Sequence, residues 1–136
     1  MRCLCILLAV SVENAEYGQV SLHRLRERLV YPAFPVTDAL FLFAEVEMER
    51  DYRGQPILMR AELLHIDRAD PPVELTSATG VVQMPMNKQL PPIFTMNHEL
   101  AFTFPEPGVY QVTVYLNDEV AAHRLIAAVE ATPQTR

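Results

Sequence analysis

The chain reads as an all-β domain: an antiparallel two-sheet sandwich of about eight strands, immunoglobulin-like or jelly-roll-like, with a partly closed barrel as second choice. Three observations predict it. In residues 100–116, Leu100, Phe102 and Phe104 alternate with Ala101 and Thr103. Pro105-Glu106-Pro107-Gly108 then turns the chain, and Tyr110, Val112, Val114 and Leu116 alternate with Gln111, Thr113 and Tyr115. Side chains of a strand point to opposite faces in turn, so this period of two marks half-buried strands. In residues 40–49, Leu40, Leu42, Ala44, Val46 and Met48 share one face, while Phe41, Phe43, Glu45, Glu47 and Glu49 share the other. A slip of one residue would bury the glutamates, so the register is well specified. Turn residues recur throughout, at intervals of about 8 to 17 residues.

Each segment has its own reason. Residues 2–12 are apolar on both faces and predict a central strand. Met1-Arg2 and the apolar run behind it also suggest a short leader, but Glu13 spoils the cleavage site and the strand is preferred. After the polar turn 13–18, residues 19–30 fit a bent strand better than a helix, although Leu22, Leu25 and Leu29 also suit a helical face. A corner at Tyr31-Pro32-Ala33-Phe34-Pro35 leads to the third strand. The turn 50–56 leads to a fourth, with Ile57, Met59, Ala61 and Leu63 inward. These two strands read as a hairpin that sets Arg60 opposite a glutamate, a pair contributing roughly 0.2 to 1 kcal/mol. Residues 73–83 make a fifth strand, interrupted at Gly80 by an expected bulge. Residues 84–98 show no periodicity. The strands 99–104, 109–116 and 120–129 close the domain, which covers residues 1–130, with a frayed tail at 131–136.

Composition bounds the function. The 136 residues suffice for one core. With 11 Lys and Arg against 17 Asp and Glu, the net charge of −6 argues against nucleic acid and against an anionic membrane surface as partners. The longest apolar run, residues 3–10, is far short of the roughly 20 needed to span a bilayer. Cys3 and Cys5 lie two apart on one strand face, beyond easy disulfide reach, which favours free thiols and a reducing compartment.

If every consecutive strand reverses, the loops sort between two ends. One end collects the turns at 13–18, 50–56, 84–98 and 117–119, and is acidic. The other collects 31–38, 67–72 and 105–108, with six of the eleven prolines, and looks structural. Binding residues often ride on loops of a rigid scaffold, so the acidic end is the expected functional end. Its long loop supplies Met84, Met86, Ile93, Phe94 and Met96 as candidate partner-binding residues, because thioethers adapt to varied apolar surfaces. Phe41 and Phe43, neighbours on an outward face, are the other candidates. Glu13, Glu16, Asp51, Asp118 and Glu119 are a candidate cation cluster for calcium, though no regular ligand spacing accompanies them.

Enzymatic chemistry finds little material. His23, His65, His98 and His123 lie on four segments without metal-pair spacing, no serine or cysteine sits in a nucleophile motif, and four glycines leave no phosphate loop. No metal site beyond the acidic cluster and no cofactor is expected. His23, Arg24, Arg26 and Arg28 form a basic cluster that suits a solvated, aggregation-resistant strand edge.

The apolar first strand followed by a polar turn and Gly18, the Pro32-Ala33-Phe34-Pro35 corner before an alternating strand and the Phe104-Pro105-Glu106-Pro107-Gly108-Val109-Tyr110 stretch resemble those of a small uncharacterised bacterial β-sandwich family, a domain of unknown function. That resemblance implies the fold and a bacterial cytoplasmic setting, and transfers no site residue. The expected function is a non-enzymatic protein-interaction or assembly module, by a protein partner or self-association. The alternative is a small-ligand or carbohydrate-binding sandwich with Tyr17, Tyr52 and Tyr115 as stacking platforms and calcium at the acidic end.

Overall fold

The computed structural model describes residues 1–14, 20–25, 27–52, 54–82 and 89–132, with backbone alone at 12–14, 20–21 and 23–25. Those residues form nine strands: β1 (Arg2–Asn14), β2 (Val20–Leu25), β3 (Arg28–Tyr31), β4 (Val36–Glu47), β5 (Pro56–His65), β6 (Val73–Val81), β7 (Ile93–Phe104), β8 (Gly108–Leu116) and β9 (Glu119–Glu130). One 3-10 turn, Arg50–Tyr52, follows β4, and there is no α-helix among the described residues. A four-stranded sheet has the order β2-β1-β4-β7 and a five-stranded sheet the order β3-β9-β8-β5-β6. The all-β expectation therefore holds.

The core lies between the sheets. Leu40, Leu42, Ala44 and Val46 of β4 are buried as their alternation predicts, as are Ile57, Met59, Ala61 and Leu63 of β5. Phe102 and Phe104 of β7 stack with centroids 6.2 Å apart, and Tyr110 meets Phe104 edge-on at 4.9 Å. Each such side chain contributes roughly 1.5 to 3 kcal/mol through the apolar surface it removes from water. Tyr110 also donates its hydroxyl hydrogen to the Glu106 carbonyl at 2.6 Å, which ties β8 to the corner before it.

Four expectations give way to tertiary pairing. The fold is mixed: β3 runs parallel to β9, with Arg28 opposite Ala127 and Tyr31 opposite Glu130. The segment read as one bent strand, residues 19–30, is two strands in different sheets, β2 on β1 and β3 on β9. Arg24 and Arg28 thus lie on separate strands, and Arg26 lies outside the described residues. Strands β4 and β5 form no hairpin, because both edges of β4 are taken by β1 and β7, and β5 lies in the other sheet. Gly80 marks no bulge. The register shift falls at Ala61/Glu62, opposite Leu75, and a Cβ at Gly80 would meet Phe94 Cε2 at 2.8 Å. Glycine is there so that a ring can pack against bare backbone.

The long unperiodic stretch is shorter than expected, since β7 starts at Ile93 and pairs with β4 through twelve residues, from Ile93 opposite Glu47 to Phe104 opposite Val36. Its inward set is Phe94, Met96, Leu100, Phe102 and Phe104, with exposed His98 interrupting the pattern at the sheet edge. That one polar residue hides the period.

The two free cysteines also differ from expectation. Cys3 is exposed and Cys5 half-buried, with a register shift between them that breaks their common face. Burial raises the pKa of both thiols.

Candidate functional site

Strand direction decides which loops meet. Arg2 pairs with Glu47, and Asn14 at the far end of β1 pairs with Val20. The β4–β5 connection, Pro91-Pro92 before β7 and the Asn117-Asp118 turn share the end of Arg2, where Met48 N–H donates to Pro92 O at 2.8 Å. The corners at 32–35, 66–72 and 105–107 share the opposite end. The parity sorting is right for all these loops and wrong for one. The paired ends of β1 and β2, Asn14 and Val20, lie at the proline-rich end, because the change from β2 to β3 reverses the chain once more than assumed.

That reversal disperses the acidic cluster. Glu13, whose backbone pairs with Ser21, stands eleven positions along β1 from Arg2, roughly 36 Å at the rise of an extended strand. Asp51, Asp118 and Glu119 are exposed at the other end, and Glu16 lies outside the described residues. No group of three His, Cys, Asp or Glu able to hold a metal occurs among the described residues. Asn117 and Asp118 instead take φ of 48° and 65°, the left-handed pair of a two-residue hairpin turn between Leu116 and Glu119.

The expected apolar contacts are similarly redistributed. Phe94 and Met96 are core residues at 5% and 1% exposure, and Ile93 is half-buried. Met84 and Met86 lie outside the described residues. Phe43 points outward from a central strand yet is only 6% exposed, and Phe41 is half-buried. Leu7 and Asn97 flank Phe43 on either side, so the pair is not an open apolar platform.

The open apolar surface is on the other sheet. Ile126 and Ala128 of β9 and Tyr110 of β8 point into the core, which turns Leu125, Ala127 and Val109 outward. Val30 of β3 joins them, and Ile66 lies alongside because its N–H donates to Val109 O at 3.0 Å. Val30 is 57% exposed and Leu125 54%, so exposed apolar side chains from β3, β9 and β8 and from the end of β5 share this outer face, with Val30 opposite Val129 and Leu125 opposite Gln111. Farther along the same face the surface is polar. The Arg60 guanidinium lies 4.3 Å over the Tyr115 ring, pairs with Glu62 and reaches Asp118 at 3.8 Å. One face of Tyr115 is thereby taken, Tyr52 is half-buried and Tyr17 lies outside the described residues. Sequence reasoning missed this exposed apolar set. Its signal was β9 itself, where Val120, Ala121, Ala122, Leu125, Ile126, Ala127, Ala128 and Val129 are apolar on both parities, so one apolar face had to lie outside the core.

A second feature sits at the proline-rich end. His65 packs on Tyr110 with centroids 4.4 Å apart, its Nδ1 accepts the Asp67 N–H at 3.2 Å, and a Cβ on Gly108 would meet its ring at 2.8 Å. Its buried Nε2 lies 3.2 Å from Glu106 Oε1 but off the line of a hydrogen bond. Arg68 joins Glu106 at 3.2 Å and Asp70 at 3.1 Å. Beside this network a cavity of about 320 Å³ opens among Leu63, Pro71, Val73, Thr103 and Pro105. Burial, chiefly, raises the pKa of the Tyr110 hydroxyl.

Among known proteins, no curated sequence matches the chain. In structure it is similar to the alkylpurine DNA glycosylase AlkC of Pseudomonas fluorescens bound to DNA, with a TM-score of 0.49 and 8% identity over 91% of this chain, which spans 30% of that protein. It is also similar to a candidate lipoprotein of Bacillus anthracis, with a TM-score of 0.42 and 10% identity over 88% of this chain and 84% of that one. No functional reading follows from either likeness. The sequence model of DUF6941, a family of unknown function, matches residues 4–128, nearly the whole described fold, and the chain therefore belongs to that family.

Proposed function

We propose that this chain is a non-enzymatic protein-interaction or assembly module of the bacterial cytoplasm, built on an immunoglobulin-like sandwich, that works without a cofactor. The connectivity supports the sandwich reading. The strand β3 runs parallel beside the last strand, β8 and β9 form a terminal hairpin, and the Tyr110 hydroxyl bonds back to the corner ahead of β8, as the tyrosine corner does in such domains. The observation that carries the interaction reading is the set of exposed apolar side chains Val30, Leu125, Val109 and Ile66 that share the outer face of the five-stranded sheet. Contiguous exposed apolar side chains mark contact surfaces in soluble proteins. A net charge of −6 favours a protein partner over nucleic acid or an anionic membrane.

The test is a paired measurement on wild type and the Val109→Lys/Leu125→Lys variant. The wild-type chain is expected to self-associate in light scattering or to hold one stoichiometric protein partner, and the folded variant to lose that association. A wild-type chain that stays monomeric at high concentration and retains no stoichiometric partner would overturn the reading.

The cavity beside His65 favours a second reading, a small-ligand site, since its volume is near the lower end of ligand pockets. Val73→Trp should fill it. Fragment binding seen by ligand-detected NMR, and lost in that variant, would support this reading over the first.

A further inference from the structure

We infer that β6 is a self-pairing edge, through which two copies of this chain join their five-stranded sheets antiparallel into one continuous sheet. The inference rests on the interaction reading above and names its partner and its surface.

The starting point is which backbone groups of β6 are free. Leu58 of β5 accepts the Asn117 N–H at 2.9 Å and donates its own N–H to Asn117 Oδ1 at 2.9 Å, so its polar backbone groups face the β8 side. In an antiparallel ladder consecutive residues face opposite neighbours, so Ile57, Met59 and Ala61 face β6. Their partners are Gly80, Ala78 and Thr76. Ser77, Thr79 and Val81 therefore turn their N–H and C=O groups away from β5, at an edge of the sheet that no other strand covers among the described residues. All three side chains are exposed, Val81 at 57%.

Edge strands normally carry devices that block pairing, such as charges, proline, shortness or inward-facing polar residues. The other three edges have them. Strand β3 is four residues long, β2 is six and carries His23 and Arg24, and β7 bears exposed His98 and Glu99 at its middle. Strand β6 has nine residues, and from Leu75 to Val81 it contains neither a charge nor a proline. Its composition of Thr, Ser, Ala and Val favours extended structure.

The same strand is complementary to itself. With a two-fold axis through Ala78, Ser77 of one copy stands opposite Thr79 of the other, both residues carry the free groups that a hydrogen-bonded pair needs, and the pair recurs on the other side of the axis. Hydroxyl pairs of this kind are favourable across strands. Ala78 faces its own counterpart, small against small. Glu74, the one acid of β6, stands opposite Val82 rather than another acid. A two-fold, isologous contact is the commonest route to a dimer.

The experiment uses the full chain. Light scattering of the wild type should give twice the monomer mass. Ser77→Pro removes an edge donor without touching the β5 ladder, and Thr79→Lys places a charge on the same edge; both should halve the mass while keeping a single cooperative thermal transition that no longer shifts with protein concentration. On a Cys3→Ser/Cys5→Ser background, Ala78→Cys should form an intermolecular disulfide on mild oxidation, because facing Cα atoms would be about 4.5 Å apart. Val81→Cys should not, since its counterparts would be roughly 20 Å apart in this register. Dimers that survive both edge variants but dissolve in Val109→Lys/Leu125→Lys would overturn the edge and leave the interaction module standing. A wild-type monomer that holds another protein would do the same, and a monomer that holds none would end both.

Discussion

The outer faces of the two sheets are built from the same strand alternation and meet water differently. On the four-stranded sheet, Phe43 lies outward but is closed in by the strands on both sides, with Leu7 and Asn97 opposite it and Glu45 and Phe41 next to it on its own strand face. On the five-stranded sheet, Leu125 has the same outward orientation and is 54% exposed. Strand position explains the contrast. Phe43 belongs to β4, whose two ladders are both long, whereas Leu125 stands one strand from the edge, beside the four-residue β3. An outward apolar side chain is a packing element where neighbours flank it fully and a contact element where they do not.

The largest effect should separate these two positions directly. Phe43→Ala is expected to cost about 3 kcal/mol in urea unfolding, the low end for a buried phenylalanine because one side of its ring faces outward. Leu125→Ala should stay within about 0.5 kcal/mol. Equal losses at both sites would show that exposure does not distinguish the faces. At the junction of β8 with its corner, Gly108→Ala should cost about 2 kcal/mol, since the new methyl would lie 2.8 Å from the His65 ring. His65→Ala in that background should recover part of the loss, and an additive double-mutant cycle would show that the ring is not the obstacle. Arg60→Ala, which strips the guanidinium from Tyr115 and Glu62, should cost about 1 kcal/mol at low salt and less in 1 M salt.

The smallest effect concerns alkaline pH. Tyr31 joins the sheets by donating to Asp38 Oδ2 at 2.7 Å, and burial, with Asp38, raises its pKa. A raised tyrosine pKa in the fold means that its stabilisation is fully present below the unfolded value near 10 and is lost as pH climbs past it. Unfolding free energy should therefore fall above about pH 10, with a shallower fall in Tyr31→Phe. An unchanged slope in that variant would remove Tyr31 as the cause.

Legibility followed the physics of each segment. The inward sets of β4, β5 and β8 were readable because one face is wet and one dry, and their register follows from that alone. Strand β7 was half-lost at exposed His98, whose edge position lets a polar residue occupy the inward parity without a burial penalty. Residues 19–30 were misjudged because a chain that changes sheets keeps its extended propensity across the change. For the candidate surface, the apolar content of β9 was visible. That its outer half stays open required knowing that β3 is too short to flank it.

The order of residues along this chain by itself determined the all-β class, the faces of the best-patterned strands, a turn at 117–119 and the distribution of most loops. These depend on contacts local in sequence or on simple alternation. Only the tertiary structure decided which strands pair, that β3 lies parallel to β9, that Glu13 is remote from Asp118, and that β6 is an edge strand among the described residues. Ladder partners are chosen by hydrogen bonds between residues far apart in the chain, and alternation is identical whichever partner satisfies them.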